Sequence, residues 1–159
     1  MKLFIISDTH GKVNKALKVI DKSPDIDMII HLGDMDKDAI EISAHTDKDV
    51  ISVRGNNESY SCKIPEYRIL ETEYGKILLT HGHRDQVDID LQRLTYRALE
   101  SGCKAVFYGH THIPMYAEID GIHILNPGSL SLPHNSKSGS YAIVNISKDE
   151  FSATIFYLD

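Results

Sequence analysis

Five apolar runs organise the chain, and each stops at a short polar cluster. The runs are Leu3–Ile6, Met28–Leu32, Val50–Val53, Ile77–Leu79 and Ala105–Tyr108. The clusters are Asp8-Thr9-His10-Gly11, Gly33-Asp34, Gly55-Asn56-Asn57-Glu58, His81-Gly82-His83 and Gly109-His110-Thr111-His112. Short apolar or β-branched runs that end at glycine and polar residues read as buried strands entering loops. The early runs lack period-two alternation, as expected for strands covered on both faces. Between them, Lys12–Lys22 predicts a helix with Val13, Ala16, Leu17 and Ile20 on one face and Pro24 past its end. Asp36–Ala44 predicts a second helix. Asp88–Ser101 predicts a third, with Leu91, Leu94, Ala98 and Leu99 on one face and Gly102 at its C-terminus. Tyr67–Glu73 and Lys76–Thr80 flank a turn at Tyr74-Gly75, and Asp120-Gly121 is a strong hairpin signal. Two final strands, about Ser140–Ile146 and Phe151–Leu158, turn at Lys148-Asp149. Strand and helix alternate in the first half and hairpins dominate the second, which fits an α/β fold of two stacked mixed sheets with helices outside.

Length and composition narrow the class. A chain of 159 residues is most simply one domain spanning 1–159. At that size it buries roughly 70% of its unfolded surface, so folding needs neither a disulfide nor a structural metal. The net charge of −6 argues against broad, non-specific nucleic-acid binding, although bound cations would reverse the sign locally. Cys62 and Cys103 form no CxxC motif, and a reducing cytosol is the expected location, with both thiols as small buried hydrophobes. The N-terminal apolar stretch is too short for a signal-peptide core, and no run approaches a membrane span.

The polar clusters carry oxygen and nitrogen donors and no thiolate, a set suited to Mn, Fe, Co, Ni or Zn. Their positions at strand ends match where open α/β sheets place ligands. Asp8-x-His10 and His110-x-His112 each place two donors on one side of an extended chain. A carboxylate such as Asp34 has two oxygens and can bridge two cations; Asn56 offers a neutral oxygen and His81 an imidazole. Cations about 4 Å apart repel, so an anion between them is required, and such a pair clamps in-line displacement at phosphorus. Any one of these histidines alone reads more readily as a hydrogen-bonded structural residue than as a ligand. The five clusters together point to a binuclear centre.

In this order, Asp8-Thr9-His10-Gly11, Gly33-Asp34, Gly55-Asn56, Thr80-His81-Gly82-His83 and Gly109-His110-Thr111-His112 resemble the signature of the calcineurin-like metallophosphoesterases. Asn126-Pro127-Gly128-Ser129 makes the chain similar to the small, cap-less bacterial and archaeal phosphodiesterases related to the retromer subunit of that fold. The resemblance implies a four-layer α/β-β/α sandwich and two divalent metals, with Mn²⁺ or Ni²⁺ the commonest supports of activity. It implies that Asp8, His10, Asp34 and His112 hold one ion. Asp34, Asn56, His81 and His110 would hold the other.

The implied function is hydrolysis of a small phosphodiester by a metal-bound hydroxide. A broad phosphomonoesterase and a metal-supported protein-binding scaffold are the alternatives, and the intact ligand set favours an enzyme. Homo-oligomerisation is left open, and no membrane partner is expected. Much of the superfamily has a histidine after the ligand asparagine; here Asn57 stands there, and an amide is no general acid. Asn57 can still hydrogen-bond a phosphate oxygen. His83 could donate a proton, bind phosphate or orient His81. Arg54 reads as a buried structural residue or a substrate contact. His31 is expected beneath the metal loops; His45, His123 and His134 are expected at the surface or in structural roles.

Overall fold

Alternate side chains of the central strands face two different interiors, which is why the apolar runs show no simple alternation. The computed structural model describes residues 1–158. Strand β1 (Lys2–Ile6) sends Leu3 and Ile5 into one core, and Phe4 and Ile6 into another. It pairs in parallel with β2 (Met28–His31), which pairs in parallel with β3 (Asp49–Ser52). Helices α1 (Val13–Asp21) and α2 (Asp36–His45) connect them. The second half supplies β4 (Tyr67–Glu71), β5 (Lys76–Thr80), α3 (Gln92–Glu100), β6 (Cys103–Phe107), β7 (Met115–Ile119) and β8 (Ile122–Asn126). It closes with β9 (Ser140–Ile146) and β10 (Phe151–Tyr157).

Two five-stranded sheets result, in the orders β10-β9-β1-β2-β3 and β4-β5-β6-β8-β7. Leu3, Ile5, Ile30 and Leu32 of the first meet Ile77, Leu79, Phe107 and Leu125 of the second in the core between them. Outside the first sheet, Phe4, Ile6 and Ile29 pack on Val13, Ala16 and Ile20 of α1 and Ile42 of α2. Outside the second, Leu78, Val106 and Ile124 pack on Leu94 and Ala98 of α3. Helix, sheet, sheet and helix therefore form the four layers expected. The expectation that the early strands are covered on both faces needs one adjustment: β3 lies at a sheet edge, and Val50 and Ile51 are half-buried rather than enclosed.

Most elements fall where the pattern puts them, and the exception matters for the site. The third helix begins at Gln92, not Asp88. The Asp90 side chain accepts a hydrogen bond from the Gln92 N–H at 2.9 Å, an Asx turn that satisfies a donor the helix would otherwise leave open. Gln86, two residues before the predicted start, takes a left-handed φ of 54°, so the chain turns here rather than entering a helix from the preceding loop. Asp88 is thereby on a loop. Leu99 is 44% exposed, while Thr95 takes a place on the buried face.

In each sheet the three parallel strands, β1-β2-β3 and β5-β6-β8, end at polar loops. No helix among the described residues is long and apolar enough to cross a membrane.

Candidate metal centre

All seven expected ligands converge, in two groups. In the first, Asp8, His10, Asp34 and His112 each place one donor atom within 4.8 Å of the others. His112 Nε2 lies 3.1 Å from Asp8 Oδ1 and 3.3 Å from His10 Nε2, and His10 Nε2 lies 3.6 Å from Asp34 Oδ2. In the second group, Asn56 Oδ1 lies 3.0 Å from His81 Nε2 and 3.1 Å from His110 Nδ1. His81 Nε2 is also 3.3 Å from Asp34 Oδ1. One oxygen of Asp34 thus faces each group.

The hydrogen bonds outside this ring of atoms decide what fits inside it. His81 Nδ1 donates to the Leu32 carbonyl at 2.7 Å, and His112 Nδ1 donates to the Leu132 carbonyl at 2.7 Å. His110 Nε2 donates to Asp88 Oδ2 at 2.8 Å. A neutral imidazole has one N–H, so with the outward nitrogen protonated the inward nitrogen is a lone pair. Those lone pairs point at carboxylate and amide oxygens, which carry lone pairs of their own. Such an arrangement fits a cation, and outward donation of this kind is how metal-ligating histidines are held. Where no cation is bound, a proton on His112 Nε2 meets the same need, and that nitrogen then donates to Asp8 Oδ1 at 3.1 Å. Burial works against its charge, but the Asp8 carboxylate outweighs burial and raises its pKa. Burial likewise opposes the charge of Asp8, and hydrogen bonds from His112 and Ser7 with the nearby His81 overcome it, so its pKa is lowered.

Strain accompanies this convergence. Asp8, His10, Asp34, His110 and His112 have φ values of 55°, 46°, 62°, 68° and 57°, in the left-handed region that costs non-glycine residues about 1–3 kcal/mol each. Cross-links hold them there. The Asp8 N–H donates to the Gly33 carbonyl at 3.1 Å, and the His110 N–H to Asp8 Oδ2 at 3.0 Å. Ser129 Oγ donates to the Asp8 carbonyl at 2.7 Å, and Ser131 Oγ to that of Thr9 at 2.6 Å. Asn126 Nδ2 donates to the Gly109 carbonyl at 2.9 Å. The Asn126-Pro127-Gly128-Ser129 segment therefore ties a loop of one sheet to a loop of the other. Gly109 lies so close to the first loop that a Cβ there would sit 1.9 Å from Ser7 Oγ.

Several residues beyond the seven expected ligands build the centre. Glu58 accepts the N–H groups of Asp34 at 3.0 Å, Gly55 at 2.6 Å and Asp36, and so joins the loops after β2 and β3. Asp36, Glu58 and Cys62 also cluster, but those carboxylates are taken up by backbone N–H groups and Ser59. Buried Asp38 accepts from Thr9 Oγ1 at 2.6 Å and the Gly11 N–H at 2.7 Å. His31 lies beneath the loops as expected. Its Nδ1 accepts from the Gly33 N–H, leaving Nε2 to donate to Thr9 Oγ1 at 2.9 Å, and burial pushes its pKa down to about 4.

Asn57 donates its side-chain N–H to Asp34 Oδ2 at 2.8 Å, so its contact is with the shared carboxylate. His83 does not orient His81, which the Leu32 carbonyl holds; the two rings are 5.4 Å apart. His83 Nδ1 is instead a buried nitrogen without a hydrogen-bond partner among the described residues. Burial, aided by the His81 ring, lowers its pKa, so it is neutral at neutral pH. Arg54 Nη1 donates to the Cys62 carbonyl at 3.4 Å. His134, expected at the surface or in a structural role, stacks on His112 with ring centres 4.6 Å apart and donates to the Thr111 carbonyl at 2.9 Å. No short motif marks Asp88 or His134, because each acts on a residue distant in sequence; Glu58 stands in the Gly55-Asn56-Asn57-Glu58 cluster, but its hold on Asp34 and Asp36 spans 24 and 22 positions. His45 pairs with Asp21 at the surface, and His123 bonds Tyr74 and Tyr116.

Comparison with known proteins fits this geometry. The calcineurin-like phosphoesterase superfamily domain matches residues 1–149. The protein named probable metallophosphoesterase YsnB of Bacillus subtilis is 32% identical over 161 residues, covering 100% of this chain and 91% of its own. A phosphodiesterase of Methanocaldococcus jannaschii is 29% identical over 146 residues, covering 80% of this chain and 83% of its own. Vps29 of Entamoeba histolytica, solved in complex with Zn²⁺, shares the fold with a TM-score of 0.79 at 21% identity, covering 100% of this chain and 99% of that one. A match across nearly the whole chain, over loops that bring seven metal-type donors together, makes this protein a member of the calcineurin-like phosphoesterase superfamily, a metal-dependent phosphoesterase.

Proposed function

We propose that the chain is a phosphodiesterase that works with two divalent cations, Mn²⁺ or Ni²⁺ by preference, which Asp34 would hold in common. The observation that carries this reading is the division of Asp34: Oδ2 faces His10 at 3.6 Å while Oδ1 faces His81 at 3.3 Å. Asp8, His10 and His112 complete one set of donors, and Asn56, His81 and His110 the other. When bound, such a pair of cations supplies a nucleophile from water near neutral pH and offsets charge developing on the phosphoryl oxygens. The residues of the chain do the positioning. Asn57 and the backbone N–H groups of Asn56 and Asn57 fix the Asp34 carboxylate, at 2.8 Å, 2.9 Å and 3.0 Å. Asp88 and the Leu32 and Leu132 carbonyls fix three imidazoles in the tautomer that turns a lone pair inward.

His83 would hydrogen-bond a phosphoryl oxygen. A neutral imidazole has one N–H to give. Because its pKa lies below the ordinary value, little of it is protonated at pH 7, so it contributes binding rather than a proton. The intact donor set weighs against the scaffold reading. Hydrolysis of bis(p-nitrophenyl) phosphate and p-nitrophenyl phosphate, with Mn²⁺, Ni²⁺ or EDTA, tests the proposal. The diester should react faster, and only with metal. A faster monoester reaction makes the chain a phosphomonoesterase, and none on either makes it a scaffold.

A further inference from the structure

Asp85 is a buried carboxylate that no ligand of the metal centre touches. Its side chain is 0% exposed, whereas the carboxylates paired with Lys2, His45, Lys76, Arg84 and His110 are 32–79% exposed. Arg97 Nε, on α3, donates to Asp85 Oδ1 at 2.7 Å, and the Tyr67 phenol, at the start of β4, donates to Oδ2 at 3.2 Å. The Arg97 guanidinium also lies over the Tyr67 ring, 4.3 Å from its centre. Burial, and next the Asp85 carboxylate, push Tyr67 up to about 12, so the phenol keeps the proton it donates. The cost of taking a carboxylate out of water largely offsets the gain from pairing it, so stability alone is a weak account of this pair.

Its place in the chain gives a better one. Asp85 ends a 3₁₀ turn, His83–Asp85, that begins two residues past the ligand His81. Gly82 and Gln86 flank the turn with φ values of 101° and 54°, and the Asp85 N–H donates to the Gly82 carbonyl at 3.0 Å. Two residues before Asp85 stands His83, whose ring centre is 5.4 Å from that of His81 and 6.2 Å from that of His110. Three residues after it stands Asp88, which holds His110 at 2.8 Å. Val87 roots the same segment in the outer core with Leu78, Leu94 and Val106, but apolar burial is non-directional. Arg84 joins the turn to Glu66, but Arg84 is 64% exposed, and exposed pairs hold little. The bonds of Asp85 to a sheet edge and to a helix are the directed ones.

We propose that Asp85 is a positioning residue: it sets the rotation of the His83–Asp85 turn, and through it the placement of His83 at the phosphoryl group and of Asp88 on His110. The half that concerns His83 rests on the phosphodiesterase reading; the half that concerns Asp88 rests only on cation binding. A pair with a purely structural role would leave both cations and the substrate bound as before in any variant that folds.

Calorimetric titration of Asp85→Ala with Mn²⁺ tests the half through Asp88, with circular dichroism to verify folding. The ion of Asn56, His81 and His110 should bind about three- to tenfold more weakly, up to the loss expected on removing Asp88 itself, and the ion of Asp8, His10 and His112 should be unchanged. Combined with Asp88→Ala, the loss should stay near about tenfold instead of multiplying, because both changes act through one contact. Asp85→Asn keeps an oxygen for Arg97 and an amide for the Tyr67 oxygen, and should recover most of the affinity. Tyr67→Phe removes one bond and should give a smaller loss at the same ion, which serves where Asp85→Ala does not fold. Arg84→Ala should change neither ion. At saturating Mn²⁺, Asp85→Ala should raise KM for bis(p-nitrophenyl) phosphate, with no further rise in a His83→Ala background. Affinities unchanged, both ions weakened equally, losses that multiply in the double variant, or an asparagine variant as weak as the alanine one, overturn the proposal. Selective loss of the one ion with KM unchanged overturns its His83 half. Selective loss in a protein whose native form hydrolyses no diester supports the Asp88 half and refutes the phosphodiesterase reading. Native hydrolysis with neither ion nor KM altered in Asp85→Ala does the reverse.

Discussion

Removing the Asp88 carboxylate should loosen one cation and leave the other in place. Asp88 Oδ2 sits 2.8 Å from His110 Nε2, and no other hydrogen bond holds that nitrogen among the described residues. Truncating it in Asp88→Ala releases the His110 tautomer and removes a charge that makes the ring more basic. Loss of such an outer partner costs 10–100-fold in metal affinity. Because the Asp88 side chain is 62% exposed, water can take over its hydrogen bond and salt screens its charge, which places the effect near the low end. The expected loss is about tenfold, or about 1.4 kcal/mol, for the ion held by Asn56, His81 and His110. The ion held by Asp8, His10 and His112 should be unchanged. Asp88→Asn keeps an acceptor oxygen and should recover part of the affinity. Calorimetric titration with Mn²⁺ resolves the two sites. Equal weakening of both, or of neither, refutes the assignment of Asp88 to one ion. An asparagine variant as weak as the alanine one shows that charge matters and the hydrogen bond does not.

Three further outcomes follow from the same geometry. Asn56→Ala should weaken the same ion selectively, and loss of both ions together in a Mn²⁺ titration contradicts the division of ligands. Aryl diesters should react much faster than alkyl diesters, because Asn57 supplies no proton; His83→Ala should slow all of them alike, and a steeper leaving-group dependence in that variant makes His83 the acid. His31 is buried neutral with a pKa of about 4 against an ordinary 6.5, so its contribution is full above pH 6.5 and is lost as pH falls toward 4. The gap corresponds to about 3 kcal/mol, and urea unfolding of metal-free His31→Gln should lack that part of the acid destabilisation; an identical pH profile contradicts the burial account.

The sequence carried the strand ends clearly, since a buried strand must meet a polar loop, and all seven donors lie on such loops. It could not tell which alternate residues of Leu3–Ile6 faced the other sheet and which faced α1, because both interiors are apolar. The Asx turn at Asp90 is a local competition that helical periodicity hides, and with it the position of Asp88 was lost. Ser129 holds Asp8 across 121 positions, and His134 joins His112 through a stack between loops. Contacts of that range are set by the packing of the two sheets, and no spacing rule anticipates them.

The central claim is that one carboxylate holds two cations together. Metal content measured on purified, Mn²⁺-reconstituted protein, with hydrolysis of bis(p-nitrophenyl) phosphate by the same sample, tests it most directly when Asp34→Asn is compared with the native chain. An amide offers one neutral oxygen where the carboxylate has two and a charge to offset cation repulsion. The native protein should hold two ions per chain and hydrolyse the diester. Asp34→Asn should hold at most one and lose nearly all hydrolysis. Two ions and near-native activity in Asp34→Asn would contradict the bridge and the account built on it.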